Sequence, residues 1–501
     1  MSNHLLDLIR ASAGNPAKTF IERDDGRTVS YGDVFTGSAR LAHVLVAAGV
    51  APGDRVAVQV EKSAEAILLY LACVRAGAIF LPLNTAYTTA ELDYFIGDAE
   101  PRLVVCDPSK QDAIAGIARG ATVLTLDARG AGSLMDKAVS QPGDFADVAR
   151  APDDLAAILY TSGTTGRSKG AMLSHANLAS NAVALRDCWR FTADDVLLHA
   201  LPIFHTHGLF VATNIMMLSG ASMLFLPRLD PDTVFSLMPK ATSMMGVPTF
   251  YVRLLQDQRL THDAVKHMRL FVSGSAPLLA DTHRDWRERT GHAILERYGM
   301  TETNMNTSNP YEGDRVAGTV GFPLPDVSLR VVEPETGMIL AAEEIGMIEV
   351  KGPNVFKGYW RNPEKTKEEF RPDGFFITGD LGKIDVRGYV HIVGRGKDLI
   401  ITGGYNVYPK EVETEIDAMP GVIESAVIGL PHRDFGEGVT AIVVQKAGAL
   451  LDGAAILKAL EIRLARFKLP KRVIVVDDLP RNTMGKVQKN VLRETYKDIY
   501  T

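Results

Sequence analysis

The 501-residue sequence predicts an α/β fold, with a large N-terminal domain of layered βα subdomains plus a β-rich subdomain and a small α+β domain at the C-terminal end. Three observations carry that expectation. Short apolar runs alternate with amphipathic stretches through roughly the first three hundred residues, the rhythm of parallel sheets covered by helices. From about Leu329 closely spaced strands and Gly-rich turns take over, and the last hundred or so residues return to mixed α and β patterning. A chain of this length exceeds one core, since domains run to about 100 to 200 residues.

Taken in order, residues 1–10 read as an amphipathic helix, 56–60 as a strand, 64–76 as a helix, and 103–106 and 155–159 as buried strands. Residues 131–154 turn polar and small, without periodicity, as in a surface connection. Strands are expected at 347–350, 374–378 and 389–393. Beyond them come a helix at 409–418, strands at 426–430 and 441–444, and a helix through 454–465.

Composition narrows the function. At 46% hydrophobic and 23% charged residues the chain is ordinary for a soluble protein, and no apolar run reaches the 18 or so residues of a membrane span. Its start lacks the basic segment, apolar core and cleavage site of a secretion signal, so a cytoplasmic location is expected. The net charge of −6 and the lack of a long basic tract argue against nucleic acid as a partner. Cys73, Cys106 and Cys188 lie far apart, without metal-ligand spacing, and read as buried thiols.

Chemistry concentrates in Thr161-Ser-Gly-Thr-Thr-Gly-Arg-Ser-Lys-Gly170, directly after the predicted strand 155–159. Glycines allow close backbone approach, and hydroxyls with Lys169 supply donors and a cation, which is what a polyphosphate requires. A flexible Ser/Gly linker would seldom follow a buried strand, carry a lysine and lead into a helix capped by Ser174. The spacing is not that of a GxxxxGK[ST] loop, because Lys169 follows Gly166 by three positions and Gly170 comes next.

This loop resembles the signature of the adenylate-forming superfamily of acyl-CoA synthetases, luciferases and peptide-synthetase adenylation domains. Further matches follow in order: Tyr298-Gly-Met-Thr-Glu302, Thr378-Gly-Asp380, Gly394-Arg-Gly-Lys-Asp-Leu-Ile-Ile401 with Gly403-Gly404, and Pro480-Arg-Asn-Thr-Met-Gly-Lys486. The resemblance spans essentially the whole chain. Two departures, Ser168 in place of a common proline and Gln488-Lys489 after Lys486, remove no needed charge.

The resemblance implies an N-terminal ATP- and acid-binding domain over 1–396 and a mobile C-terminal domain over 397–501 that carries Lys486. It further implies ATP contacts at Thr161, Ser162, Gly163, Thr164, Thr165, Gly166, Lys169, Ser275, Ala276, Pro277, Glu296, Arg297, Tyr298, Gly299, Met300, Thr301, Asp380 and Arg395. Lys486 would bridge the acid and the α-phosphate, offsetting the repulsion of two anions. Glu302 would hold Mg²⁺, with Thr161 as a second contact. Tyr298 would stack on adenine, and Asp380 and Arg395 would bind ribose. By the same resemblance Lys397 is a hinge, and Gly403 and Gly404 line the path of coenzyme A.

The acid pocket, by resemblance, is built from Pro202-Ile-Phe-His-Thr-His-Gly208, Gly246-Val-Pro-Thr-Phe-Tyr-Val-Arg253 and Ser273-Gly-Ser-Ala-Pro277. His207 and Ser275 are expected in its wall, and His205 in a structural role. An arginine in an acyl tunnel costs several kcal/mol without a partner, so Arg253 argues for a second carboxylate on the substrate. Thr249 is expected to cap a helix whose first turns place Arg253 for bidentate capture of an anion. Arg253 and the chain length resemble the malonate-activating members, which makes malonate the expected acid and methylmalonate a second by the same charge logic. Another short acid, or transfer to a separate carrier protein, stays open, while luciferase-like oxidation or a sensor without turnover fits the complete motif set less well.

Overall fold

The computed structural model describes residues 2–161, 168–403, 405–446, 448–449, 451–483 and 485–500. Among these residues the strands form four sheets. A six-stranded sheet runs Thr122–Thr125, Leu103–Cys106, Arg55–Gln59, Ile79–Pro82, Leu155–Thr161 and Lys169–Ser174. All its pairings are parallel except the last, where Leu155–Thr161 and Lys169–Ser174 form an antiparallel hairpin.

A nine-stranded sheet lies beside it, with Leu295–Met300, Leu270–Ser273, Ser243–Gly246, Val196–His199, Ser222–Phe225 and Thr19–Arg23 as parallel neighbours in that order. One apolar core joins the two sheets, drawing on residues as distant as Leu5, Phe210 and Val390. Helix Ala64–Ala76, capped by Ser63, sits inside that core with apolar residues buried around its circumference. Its continuous hydrophobic run therefore reflects a helix covered on all sides.

The expected β-rich part is an antiparallel sheet of Ser328–Val332, Gly346–Lys351, Phe376–Ile384 and Val390–Arg395. A short 3₁₀ turn, Gly396–Asp398, follows. Past this turn the strands Ile400–Thr402, Tyr405–Val407, Val422–His432, Gly436–Gln445 and Arg472–Val476 build a separate five-stranded sheet. That lobe has its own apolar clusters, one around Val412, Ile416 and Val443 and another around Ile428, Ile442 and Leu492.

Most expected elements appear close to their places. The first helix is displaced to His4–Ala13 because Asn3 caps it. Residues 131–154 include a short helix, Ser133–Val139, beneath which Leu134 and Ala138 are buried, so that stretch is not wholly a surface connection. The last of the expected helices ends at Leu460 instead of running through 465. Among the described residues no helix is long and apolar enough to cross a membrane. Cys73 and Cys106 are buried thiols, while Cys188 keeps partial exposure.

Candidate active site

Four pocket segments leave the carboxyl ends of adjacent parallel strands. Residues 200–208 follow Val196–His199, residues 247–253 follow Ser243–Gly246, residues 274–277 follow Leu270–Ser273, and residues 296–302 span the end of Leu295–Met300. Loops at the carboxyl edge of a parallel sheet converge, which explains how segments a hundred residues apart come to lie side by side.

At the centre His207 is fully buried, with Nδ1 3.2 Å from Ser275 Oγ. Its Nε2 has no hydrogen-bond partner among the described residues. Ser275 adopts a positive φ of 72°, strain that a serine carries where its side chain is required in a particular direction. His205 accepts the His207 amide on Nδ1, and burial with the nearby charges of Arg297 and Lys486 lowers its imidazole to about 4. Both histidines are therefore neutral near pH 7.

Arg297 is the feature that the sequence did not single out from its neighbours. It is only 4% exposed, and Nε and Nη2 find no partner among the described residues. Burial pulls its guanidinium down to about 9. The group rests against Gly274, where even a Cβ would stand 2.3 Å from Arg297 Cζ. A buried cation left unpaired costs several kcal/mol, so this position calls for an anion.

Arg253 differs from expectation. Its helix, Pro248–Leu255, starts at Pro248 with Val247 as N-cap and no side-chain cap bond, so Thr249 is not the cap. Proline fixes φ and needs no N–H acceptor, which suffices to open a helix. Arg253 lies in the last turn and is exposed, so neither the dipole argument nor the desolvation argument applies to it. It does not pair with Asp257, which is held by Arg259. It shares a helical face with Thr249, four residues earlier, and Thr249 approaches Gly485 beside Lys486.

The side of the site expected to take the nucleotide is more tightly wired. Tyr298 Oη donates to Asp380 Oδ2 at 2.5 Å, and Arg395 Nε meets Asp380 Oδ1 at 2.9 Å. Strand pairing of Asp380 with Arg395 sets that contact. Gly299 admits no side chain, because a Cβ would fall 1.9 Å from Asn304 O. Met300 and Thr301 continue into a turn that brings Glu302 inward, where it is 6% exposed and accepts from Tyr359 Oη at 3.1 Å. Desolvation raises the Glu302 carboxyl. Glu296, on the same strand, accepts from Gly318 N, and burial pushes it up to about 8. Ala276 and Pro277 sit at the rim, with Pro277 exposed.

Thr161 and Lys169 end the hairpin strands and pair across it. Ser162, Gly163, Thr164, Thr165 and Gly166 lie outside the described residues, as does Gly404. Gly403 has φ 57° and donates its amide to Phe435 O. Lys397, exposed, occupies the turn between the lobes.

Lys486 arrives from the C-terminal lobe on a turn braced internally by Lys486 N to Asn482 Oδ1 and Arg481 Nη1 to Gly485 O. On the other lobe Asn84 Nδ2 donates to Thr483 Oγ1 at 3.0 Å. Lys486 keeps solvent contact, yet cleft walls partly dehydrate its ammonium and Arg395 repels it, while Asp380 and Asp398 oppose the shift. The net effect lowers its pKa.

Among the described residues no three His, Cys, Asp or Glu side chains cluster as a metal cage. A buried carboxylate whose hydrogen-bond donor is a tyrosine hydroxyl suits Mg²⁺ held jointly with phosphate oxygens.

Comparison with known proteins shows the family. Residues 8–360 match the family model described as AMP-binding enzyme, and residues 411–486 that of the AMP-binding enzyme C-terminal domain. ATP-bound MatB from Rhodopseudomonas palustris is 68% identical over 100% of both chains, with a TM-score of 0.98. The apo form, at the same identity and coverage, gives 0.86. A malonate–CoA ligase of Arabidopsis thaliana is 32% identical, covering 99% of this chain and 90% of its own. A feruloyl-CoA synthase of an Amycolatopsis species is 36% identical, covering 97% and 98%.

Proposed function

Since the chain belongs to the AMP-binding enzyme family and is an AMP-forming acid–thiol ligase, we propose that its acid is malonate. Malonate and ATP would give malonyl-AMP and pyrophosphate, and coenzyme A would then give malonyl-CoA and AMP. Methylmalonate fits the same charges. The observation that carries the reading is Arg297, a guanidinium buried beside His207 and Tyr251 with no anionic partner among the described residues. The feruloyl relative shows that overall likeness alone does not choose the acid.

In this reading one carboxylate of malonate meets Arg297, with Arg253 from the open end of the pocket, and the other faces Lys486. Ser275 and His207 Nε2 hydrogen-bond the acid between them. The Lys486 ammonium offsets the repulsion between the attacking carboxylate and the α-phosphate. Lys169, Thr161 and the loop residues Ser162 to Gly166 receive the polyphosphate, with Ala276 and Pro277 at the nucleotide's rim. Tyr298 offers its ring to adenine, Glu296 and Arg297 precede it in the same strand, and Asp380 with Arg395 binds ribose. Glu302 with Thr161 would hold Mg²⁺, which supplies charge neutralisation at the phosphates.

Residues 1–396 and 397–501 are assigned as two lobes that turn about Lys397, bringing Gly403 and Gly404 to the thiol's path. The separate apolar clusters on either side of Gly396–Asp398 support this. Unpaired cysteines suit a reducing compartment, the cytoplasm. The test is CoA-dependent AMP formation with malonate, methylmalonate, succinate, acetate and octanoate, in the parent, Arg253→Ala and Arg297→Met. Malonate preference lost most severely in Arg297→Met is the expected result, and a parent that prefers acetate or octanoate discards the substrate.

A further inference from the structure

Lys169, the cation of the phosphate loop, is engaged by a residue outside every motif. Its Nζ lies 3.4 Å from Glu369 Oε1 and 4.3 Å from the centre of the Tyr359 ring, with the lysine side chain only 13% exposed. Tyr359 presents its face to Lys169 and its hydroxyl to Glu302. Glu369 directly follows helix Pro363–Glu368, and its backbone is fixed on both sides, by its amide to Lys365 O and Thr366 O and by its carbonyl to Ile377 N. Its carboxylate also pairs with Lys365 at 3.0 Å.

We infer that Glu369 is a positioning residue that competes with polyphosphate for Lys169. This rests on the proposed reading in which Lys169 meets the triphosphate. When phosphate oxygens take the lysine, Lys365 keeps Glu369 paired, so the exchange strands no charge. When pyrophosphate forms, Glu369 stands ready to reclaim Lys169 and so favours departure of the anion. A carboxylate paired with the lysine that the phosphate needs weakens anion binding through this exchange.

The sign of the effect makes the test sharp, because a damaged fold loses affinity whereas removing a competitor gains it. Magnesium pyrophosphate and magnesium ATP are titrated calorimetrically into the full chain, Glu369→Gln, Lys169→Met, the double variant and Glu368→Gln. Glu368 is 66% exposed and pairs with Lys365, so its variant carries the same charge change without touching Lys169. Glu369→Gln is expected to tighten pyrophosphate about two- to fivefold, the range of a partly exposed ion pair. Glu368→Gln is expected to leave it unchanged, and the double variant to match Lys169→Met. No gain in Glu369→Gln, or an equal gain in Glu368→Gln, overturns the inference. If Lys169→Met alone changes neither affinity, the reading of Lys169 falls, and this inference with it.

Discussion

Gly274 and Arg297 fit together only because Gly274 has no side chain: a Cβ there would stand 2.3 Å from the guanidinium carbon and 2.5 Å from Nε. Gly274→Ala needs no unusual backbone, so its effect falls on the arginine. We expect the malonate KM to rise about tenfold to a hundredfold, the loss of one or two charge-assisted bonds, with the ATP KM nearly unchanged. Initial rates at varied malonate and fixed ATP measure it, and a matching rise in the ATP KM would point to general damage instead.

Lys397 sits in the turn that leads from the four-stranded sheet into the C-terminal lobe's sheet. Replacing Lys397 with proline restricts φ and should leave malonyl-AMP formation within a few-fold while blocking thioester formation. The two half-reactions are followed separately, by malonate-dependent pyrophosphate release and by CoA-dependent consumption of supplied malonyl-AMP. Equal loss in both removes the hinge assignment.

Lys486→Gln should abolish adenylate formation and spare transfer from supplied malonyl-AMP. Partial dehydration and the nearby Arg395 charge hold the Lys486 ammonium below its ordinary 10.5. Because the cation is the working form, the first half-reaction is fully supported below this lowered pKa and declines as pH rises through it. A pH–rate profile of adenylation in the parent reads that decline directly, and one that stays flat up to 10.5 contradicts the role.

Glu296, pushed from 4.5 to about 8, holds a proton in the folded chain that the unfolded chain gives up between those values. Stability from this group is therefore lost as pH rises across that window. Glu296→Gln should melt with the parent near pH 5 and about 2 to 4 °C above it near pH 8.5. Scanning fluorimetry at the two pH values is sufficient, and an equal shift at both would assign the effect to packing.

Local chemistry made much of this molecule legible. Helix Ala64–Ala76 and strand Leu103–Cys106 stand where periodicity puts them, and Ser174 forms a capping box with Asn177 at the start of its helix. The loop at 161–170 stands out in the sequence because its residue types have few other uses together, though residues 162–167 lie outside the described residues. Arg297 was less legible, since its place in an Arg-Tyr-Gly motif gives no sign that the side chain is buried or unpaired; that depends on Gly274, 23 positions away. Thr249 misled for the opposite reason, because Pro248 opens the helix without help from a side chain. Glu369 carries no pattern, and only the return of the chain beside the hairpin brings it to Lys169.

The bond from Asn84 to Thr483 joins residues 399 positions apart and braces the turn that carries Lys486. In a catalytic cycle with two lobe arrangements, such a bond is made once and broken once per turnover. Its roughly 1 kcal/mol therefore enters the free-energy profile twice with opposite effect, deepening one well and raising the exit from it. A stronger clasp would not yield a faster ligase; in such a cycle it would yield one that waits longer with its intermediate.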